Sequence, residues 1–152
     1  MEMINYKHII VALFLSFCMF FSLIAADNFY YCDGSDGSFV SFDRVVISFD
    51  KGQIVTFKMH ATTNAEFPFD NAIVKFDVSS SSPALPNLSE RHKFCEVTNC
   101  PLPVDGPFVI TYSPFSPFFN YFETLRGKLT VTITGPNNDV HVCIKSDFAI
   151  NP

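Results

Sequence analysis

Lys128-Leu129-Thr130-Val131-Thr132-Ile133-Thr134 alternates polar and apolar residues without a break. Successive side chains of a strand point to opposite faces, so Leu129, Val131 and Ile133 share one face, while Lys128 and the threonines share the other. That is a strand with one buried and one wet face, the form antiparallel sheets take. Working outward, β-branched and aromatic runs at 39–49, 54–59, 72–78, 108–112 and 140–150 give the same signal. Turn formers divide them: Asp50-Lys51-Gly52, Phe67-Pro68-Phe69-Asp70-Asn71, Val104-Asp105-Gly106-Pro107 and Gly135-Pro136-Asn137-Asn138. No stretch sustains a helical period. Short strands with turns between them predict an all-β fold, an immunoglobulin-like two-sheet antiparallel β-sandwich, with a small closed barrel as the alternative. The inward-facing candidates are Val55, Phe57, Met59, Val74, Phe76, Val78, Phe108, Ile110, Leu129, Val131 and Ile133.

The chain has 152 residues, 48% hydrophobic and 16% charged, enough apolar mass for one domain and too much for a disordered chain. Ten basic residues stand against fifteen acidic ones, for a net charge of -5, and the basic residues are scattered. A nucleic-acid partner is therefore not expected. Residues 9–26 carry no charge, follow Lys7 and His8, and end in Ala25-Ala26 before Asp27. A basic start, an apolar run and a small-residue exit make residues 1–26 a signal peptide and residues 27–152 the mature domain; an uncleaved membrane anchor is the alternative.

Five cysteines are an odd number, but Cys18 lies in the removed segment. Cys32, Cys95, Cys100 and Cys143 remain, an even set that reads as two disulfides formed in an oxidising compartment, with the pairing open. Asn87-Leu88-Ser89 is a glycosylation sequon. The mature chain is expected in the secretory pathway, outside the cell or in the endosomal or lysosomal lumen.

Catalytic signatures are missing: the sequence has no Gly-x-Ser-x-Gly, no His-Glu-x-x-His and, with both disulfides formed, no free cysteine in the mature chain. No enzyme activity and no cofactor is expected. His60, His92 and His141 lack metal-ligand spacing, and Asp33-Gly34-Ser35-Asp36-Gly37 lacks the ligand spacing of a calcium loop, so no metal site is expected either. Arg91-His92-Lys93 is a small basic cluster suited to solvent or to a lipid headgroup.

The most unusual segment is Tyr112-Ser113-Pro114-Phe115-Ser116-Pro117-Phe118-Phe119-Asn120-Tyr121-Phe122, in which six of eleven residues are aromatic. Its prolines prevent a central strand, so it is a loop far more apolar than loops usually are. Phe115, Phe118, Phe119, Tyr121 and Phe122 are candidates to touch lipid and to enter a membrane interface transiently.

Tyr31-Cys32, Lys51-Gly52-Gln53 opening a strand, Phe94-Cys95-Glu96 followed by Cys100-Pro101-Leu102, the strand end at Tyr112 and the late Cys143 together resemble the ML domain family. The resemblance spans essentially the whole mature chain. This lipid-recognition family includes phosphatidylglycerol/phosphatidylinositol transfer proteins and the Niemann-Pick lysosomal sterol carrier. It implies a sandwich that holds one lipid between its sheets, disulfides Cys32–Cys143 and Cys95–Cys100, and a cavity mouth bordered by residues 113–126. A monomeric lipid carrier follows, lined by Val55, Phe57, Met59, Val74, Phe76, Phe108, Ile110, Tyr112, Leu129 and Val131. The sterol carrier's further early cysteine pair is missing at Ser48-Phe49-Asp50-Lys51, so both phospholipid and sterol remain candidate ligands. An empty, dry cavity of roughly 300–1,000 Å³ would cost on the order of 7–24 kcal/mol, as much as a domain's whole stability, so it must be filled, collapsed or wet. A secreted module recognising protein or carbohydrate is the alternative function.

Overall fold

Alternation in the sequence becomes alternation in burial. The computed structural model describes residues 23–26, 29–49, 55–64, 69–81, 87–114 and 125–150. Strand β4 (Val55–Thr63) buries Val55, Phe57, Met59, Ala61 and Thr63. Strand β5 (Ile73–Ser80) buries Val74, Phe76 and Val78, and β7 (Pro107–Tyr112) buries Phe108, Ile110 and Tyr112. Leu129, Val131 and Ile133 do the same on β8 (Leu125–Thr134), as do Val142, Ile144, Ser146 and Phe148 on β9 (Val140–Ile150). These rows face one another across a two-sheet antiparallel sandwich.

One sheet has the order β1-β3-β4-β7, where β1 is Leu23–Ala26 and β3 is Val40–Phe49. The other has the order β2-β9-β8-β5-β6, where β2 is Phe29–Tyr31 and β6 is Leu88–Lys93. Strand β3 changes phase midway: Val40 and Phe42 are buried, then Val45 and Ile47. Its register against β4 shifts between Phe42 and Arg44, a bulge that keeps both halves facing the core. The Phe42 amide donates to the Tyr31 hydroxyl at 3.0 Å, which ties β3 of one sheet to β2 of the other.

Strand β1 pairs Leu23–Ala26 with Ser48, Ile47, Val46 and Val45 of β3 at the sheet edge. Cleavage after Ala26 would remove this strand and leave β3 as the edge, with its bulge next to the exposed backbone. Residues 1–22 lie outside the described residues.

Two elements depart from the expectation of strands alone. Phe69–Asn71 forms a 3-10 turn, and Phe94–Val97 a single helical turn, α1, whose Glu96 carboxylate accepts from the Lys93 amide at 3.0 Å. Both are too short to show a period in the sequence, and each contributes one ring to a plug. Phe69 stacks on Phe94 at 4.7 Å, and Phe94 meets Phe108 at 5.8 Å, closing one end of the sandwich.

Cys32 is joined to Cys143, within the five-stranded sheet, and Cys95 to Cys100, across the turn that follows α1. Neither spans the gap between the sheets. The first bridge closes a separation of 111 residues and the second one of 5. On loop-closure entropy, replacing Cys32 and Cys143 with Ala should lower the unfolding free energy by about 4–5 kcal/mol, against about 2 kcal/mol for the Cys95 and Cys100 pair. Urea titration of the two oxidised double mutants measures the difference.

Candidate functional site

Strand β7 starts at the plugged end of the sandwich and runs to the opposite one. At its start, Phe108 packs into the Phe69–Phe94 plug, and the Thr98 hydroxyl donates to the Val109 carbonyl at 2.8 Å. At its finish, Tyr112 lies opposite Phe57 in the register and leads into the aromatic segment. Phe115, Phe118, Phe119, Tyr121 and Phe122 fall outside the described residues. Val55, Phe57, Met59, Val74, Phe76, Phe108, Ile110, Tyr112, Leu129 and Val131 all face the layer between the sheets and are buried.

Rings couple the sheets near this opposite end. Tyr112 stacks on Phe76 of the opposite sheet with centroids 4.1 Å apart and planes 2° from parallel, and Phe57 meets Phe148 edge-on at 5.4 Å. Such pairs are favourable beyond the area they bury. A ligand entering the layer at this end would have to part them.

Polar atoms in the layer behave differently at its two ends. At the closed end the buried Thr63 hydroxyl donates to the Pro103 carbonyl at 2.8 Å and accepts from the Gly106 amide at 3.2 Å. The hydroxyls of Tyr112, 3% exposed, and Ser146, 1% exposed, have no hydrogen-bond partner among the described residues. Buried polar groups are nearly always paired, so these two positions call for a partner beyond the described residues or for water.

Strand β6 brings charge to the same place. Its six residues alternate half-buried and exposed, and Leu88, Glu90 and His92 sit opposite Val78, Phe76 and Val74. Paired positions share a face, so Glu90 and His92 extend along the inner side, while Arg91 and Lys93 point to solvent. The basic cluster 91–93 is thereby split across the sheet. His92 Nε2 lies 3.2 Å from Glu90 Oε2, and the His92 ring is 6.1 Å from that of Tyr112. Burial first, then the charge and pull of the Glu90 carboxylate, then Asp77, push the Tyr112 phenol far above its ordinary value, although its hydroxyl meets no partner in bonding geometry. Tyr112 therefore keeps its proton.

Outward, Asp77 of β5 accepts from Lys75 at 2.8 Å and from Ser89 of β6 at 2.7 Å, which pins the edge strand in register. Burial works to raise the Asp77 pKa, but these bonds outweigh it and hold the carboxyl below its ordinary value. Asn87, the sequon residue, is exposed, and its side-chain oxygen accepts from the Ser80 amide at 3.3 Å. Among the described residues, no three His, Cys, Asp or Glu side chains converge as metal ligands would.

The sequence did not mark β6 as a strand, because Leu88-Ser89-Glu90-Arg91-His92-Lys93 holds one apolar residue. Ser146 was missed as well, hidden inside an apolar run. Compared with known proteins, the chain matches no family model and no curated relative.

Removing an unpaired buried hydroxyl removes a desolvation penalty, so Tyr112→Phe should stabilise the protein by about 1 kcal/mol, whereas Thr63→Val, which leaves the Gly106 amide unpaired, should destabilise it by about 1–3 kcal/mol. Urea midpoints decide both signs. The lowered Asp77 pKa favours the folded state above the ordinary carboxylate pKa, and that benefit is lost as pH falls through the folded value. Asp77→Asn should accordingly flatten the acid side of a stability-against-pH curve followed by thermal melting.

Proposed function

We propose that this protein is a non-enzymatic lipid carrier that holds one lipid between its two sheets and moves it between membranes. The observation that carries the reading is the pair of buried hydroxyls, Tyr112 and Ser146, that meet no partner in bonding geometry among the described residues, in a layer that is apolar around them. A layer built only for stability has no use for them, since matching apolar side chains would cost less. An amphiphile inserted among these side chains would gain about 0.8 kcal/mol per buried methylene and bring polar atoms of its own.

The resemblance to the ML domain family supports the same reading. The aromatic segment at 115–122 then forms the mouth, and its rings enter the membrane interface during exchange. The two disulfides are compatible with an oxidising environment. Within that frame, the chain is cut after Ala26, carries a glycan on Asn87, and works as a monomer outside the cell or in an endosomal or lysosomal lumen. Phospholipid and sterol are both candidate cargoes.

Native mass spectrometry of the protein recovered from a secreting cell, followed by solvent extraction, tests this directly. One lipid per chain is the expected result. A folded protein with two disulfides that carries no lipid, and takes none from mixed vesicles, would overturn the carrier reading in favour of a surface-recognition module. Phe118→Ser with Phe119→Ser should slow transfer between vesicles severalfold and leave the melting temperature unchanged; an unaltered transfer rate would remove these rings from the mouth.

A further inference from the structure

The outer face of the five-stranded sheet is basic in a chain that is acidic overall. Lys75, Arg91, Lys93, Arg126, Lys128 and Lys145 stand at its outward strand positions, six of the chain's ten Lys and Arg, against the carboxylates Asp77 and Asp147. Three of the six gather at the plugged end, where Lys93 runs directly into Phe94.

Register sets these three side by side. Lys75 of β5 lies directly opposite Arg91 of β6, and Ile73 opposite Lys93. Like charges at opposed positions on one face destabilise a sheet. Asp77 offsets part of that cost, since it holds Lys75 at 2.8 Å and feels the charge of Arg91. One carboxylate among three cations leaves the group positive. Arg91 is exposed, and its guanidinium has no hydrogen bond or ion pair among the described residues.

A cleft of about 300 Å³ opens beside these cations. Its walls are Ile73 and Lys75 of β5, Arg91 of β6, Thr132 and Thr134 of β8, and Asn138 of the β8–β9 turn, with no carboxylate among the described residues. The Thr134 hydroxyl reaches the Ile73 carbonyl at 3.5 Å and the Thr132 hydroxyl the Cys143 sulfur at 3.6 Å, contacts long enough to give way to a better acceptor. The turn itself is fixed: the Asn138 amide donates to the Gly135 carbonyl and the Gly135 amide to the Asp139 carbonyl, both at 3.0 Å. The Asp139 carboxylate lies 3.1 Å from His141.

The walls thus offer a guanidinium, an ammonium with two of its three protons uncommitted, two hydroxyls and a carboxamide. What matches them is an anion rich in acceptors. The donors come from three sides, which suits the several oxygens of a tetrahedral oxyanion better than the two of a planar carboxylate, and the Arg91 fork takes two of them at once. The cleft has the volume of about ten waters, so it also has room for the group that carries the ester.

We propose that this cleft binds a sulfate or phosphate ester, with Arg91 and Lys75 holding its charge and Thr132, Thr134 and Asn138 donating to its oxygens. The site lies outside the layer between the sheets, at the end away from Tyr112, and does not depend on the carrier reading.

The test titrates glucose 6-sulfate, glucose 6-phosphate and glucose into isotopically labelled protein and follows its amide resonances. Both esters should give saturable shifts centred on Arg91, Thr132, Thr134 and Asn138, and glucose none. Arg91→Gln should weaken ester binding by about tenfold, the worth of a charge-assisted bond, without changing the melting temperature. Lys128→Gln removes the same charge from the same face, but Lys128 pairs with Ser79, four residues along β5 from Lys75. That is roughly 13 Å, beyond a Debye length of about 8 Å, so this variant should bind within about twofold of the unmodified protein.

No saturable shift with either ester, shifts spread as strongly over Lys58 and Lys145 as over the cleft, or equal weakening by Arg91→Gln and Lys128→Gln would overturn the site. Sedimentation with phosphatidylcholine vesicles containing phosphatidic acid separates the sources. Vesicle binding lost in Arg91→Gln assigns the ester to a lipid head, and ester shifts in the cleft with vesicle binding unmoved by that substitution assign it to a soluble ligand.

Discussion

The layer of apolar side chains between the sheets is what the rest of the molecule depends on, because no described disulfide crosses it. Cys32–Cys143 lies within one sheet and Cys95–Cys100 within one turn. Each large side chain buried in the layer contributes roughly 1.5–3 kcal/mol, so the sheets are held by area rather than by covalent staples. Hydrogen bonds reinforce the contact at one end. The Phe42 amide meets the Tyr31 hydroxyl, and the Thr98 hydroxyl meets the Val109 carbonyl. Near Tyr112 the coupling is by ring contacts, Phe76 on Tyr112 and Phe57 against Phe148. Ring contacts slide and part without leaving a buried donor unpaired, whereas the bonded end cannot open so cheaply.

The inner face was legible wherever a strand is central. On β4, β5 and β8, period-two alternation identified the buried rows, because a strand paired on both sides and wet on one face has little freedom to hide its pattern, and the edge strand β7 shows the same alternation through Phe108, Ile110 and Tyr112. The structure adds what alternation cannot express. Strand β3 reads as a continuous run from Val40 to Phe49, yet its two halves are out of phase, and the bulge at Phe42 and Arg44 reconciles them. Strand β2 has three residues and α1 one turn, both below the length at which any period exists.

The candidate site was half legible for the same reason. Tyr112 stood out as the end of an apolar strand, but its partnerless state depends on which atoms approach it in space. Glu90 and His92 looked like part of a solvated stretch because an edge strand at the rim need not be apolar on its inner side. Only the pairing of Phe76 with Glu90 and of Val74 with His92 shows which way they point. Ser146 is a small residue in an apolar run, and sequence carries no mark of whether its hydroxyl is paired.

An edge strand is also where a carboxylate can sit beside an apolar layer. On a central strand such as β8, inner-facing side chains are almost wholly buried, as Leu129 and Val131 are. A carboxylate there would face a desolvation penalty of several kcal/mol and would take up a proton instead. On β6 the inner face opens to solvent along one side, and Glu90 stays partly exposed with His92 as partner. Tyr112 reaches the same spot from the other sheet as an uncharged donor, the one kind of polar group that tolerates full burial at modest cost. Charge at the rim and a neutral donor inside divide the polar task in the only order the dielectric gradient allows.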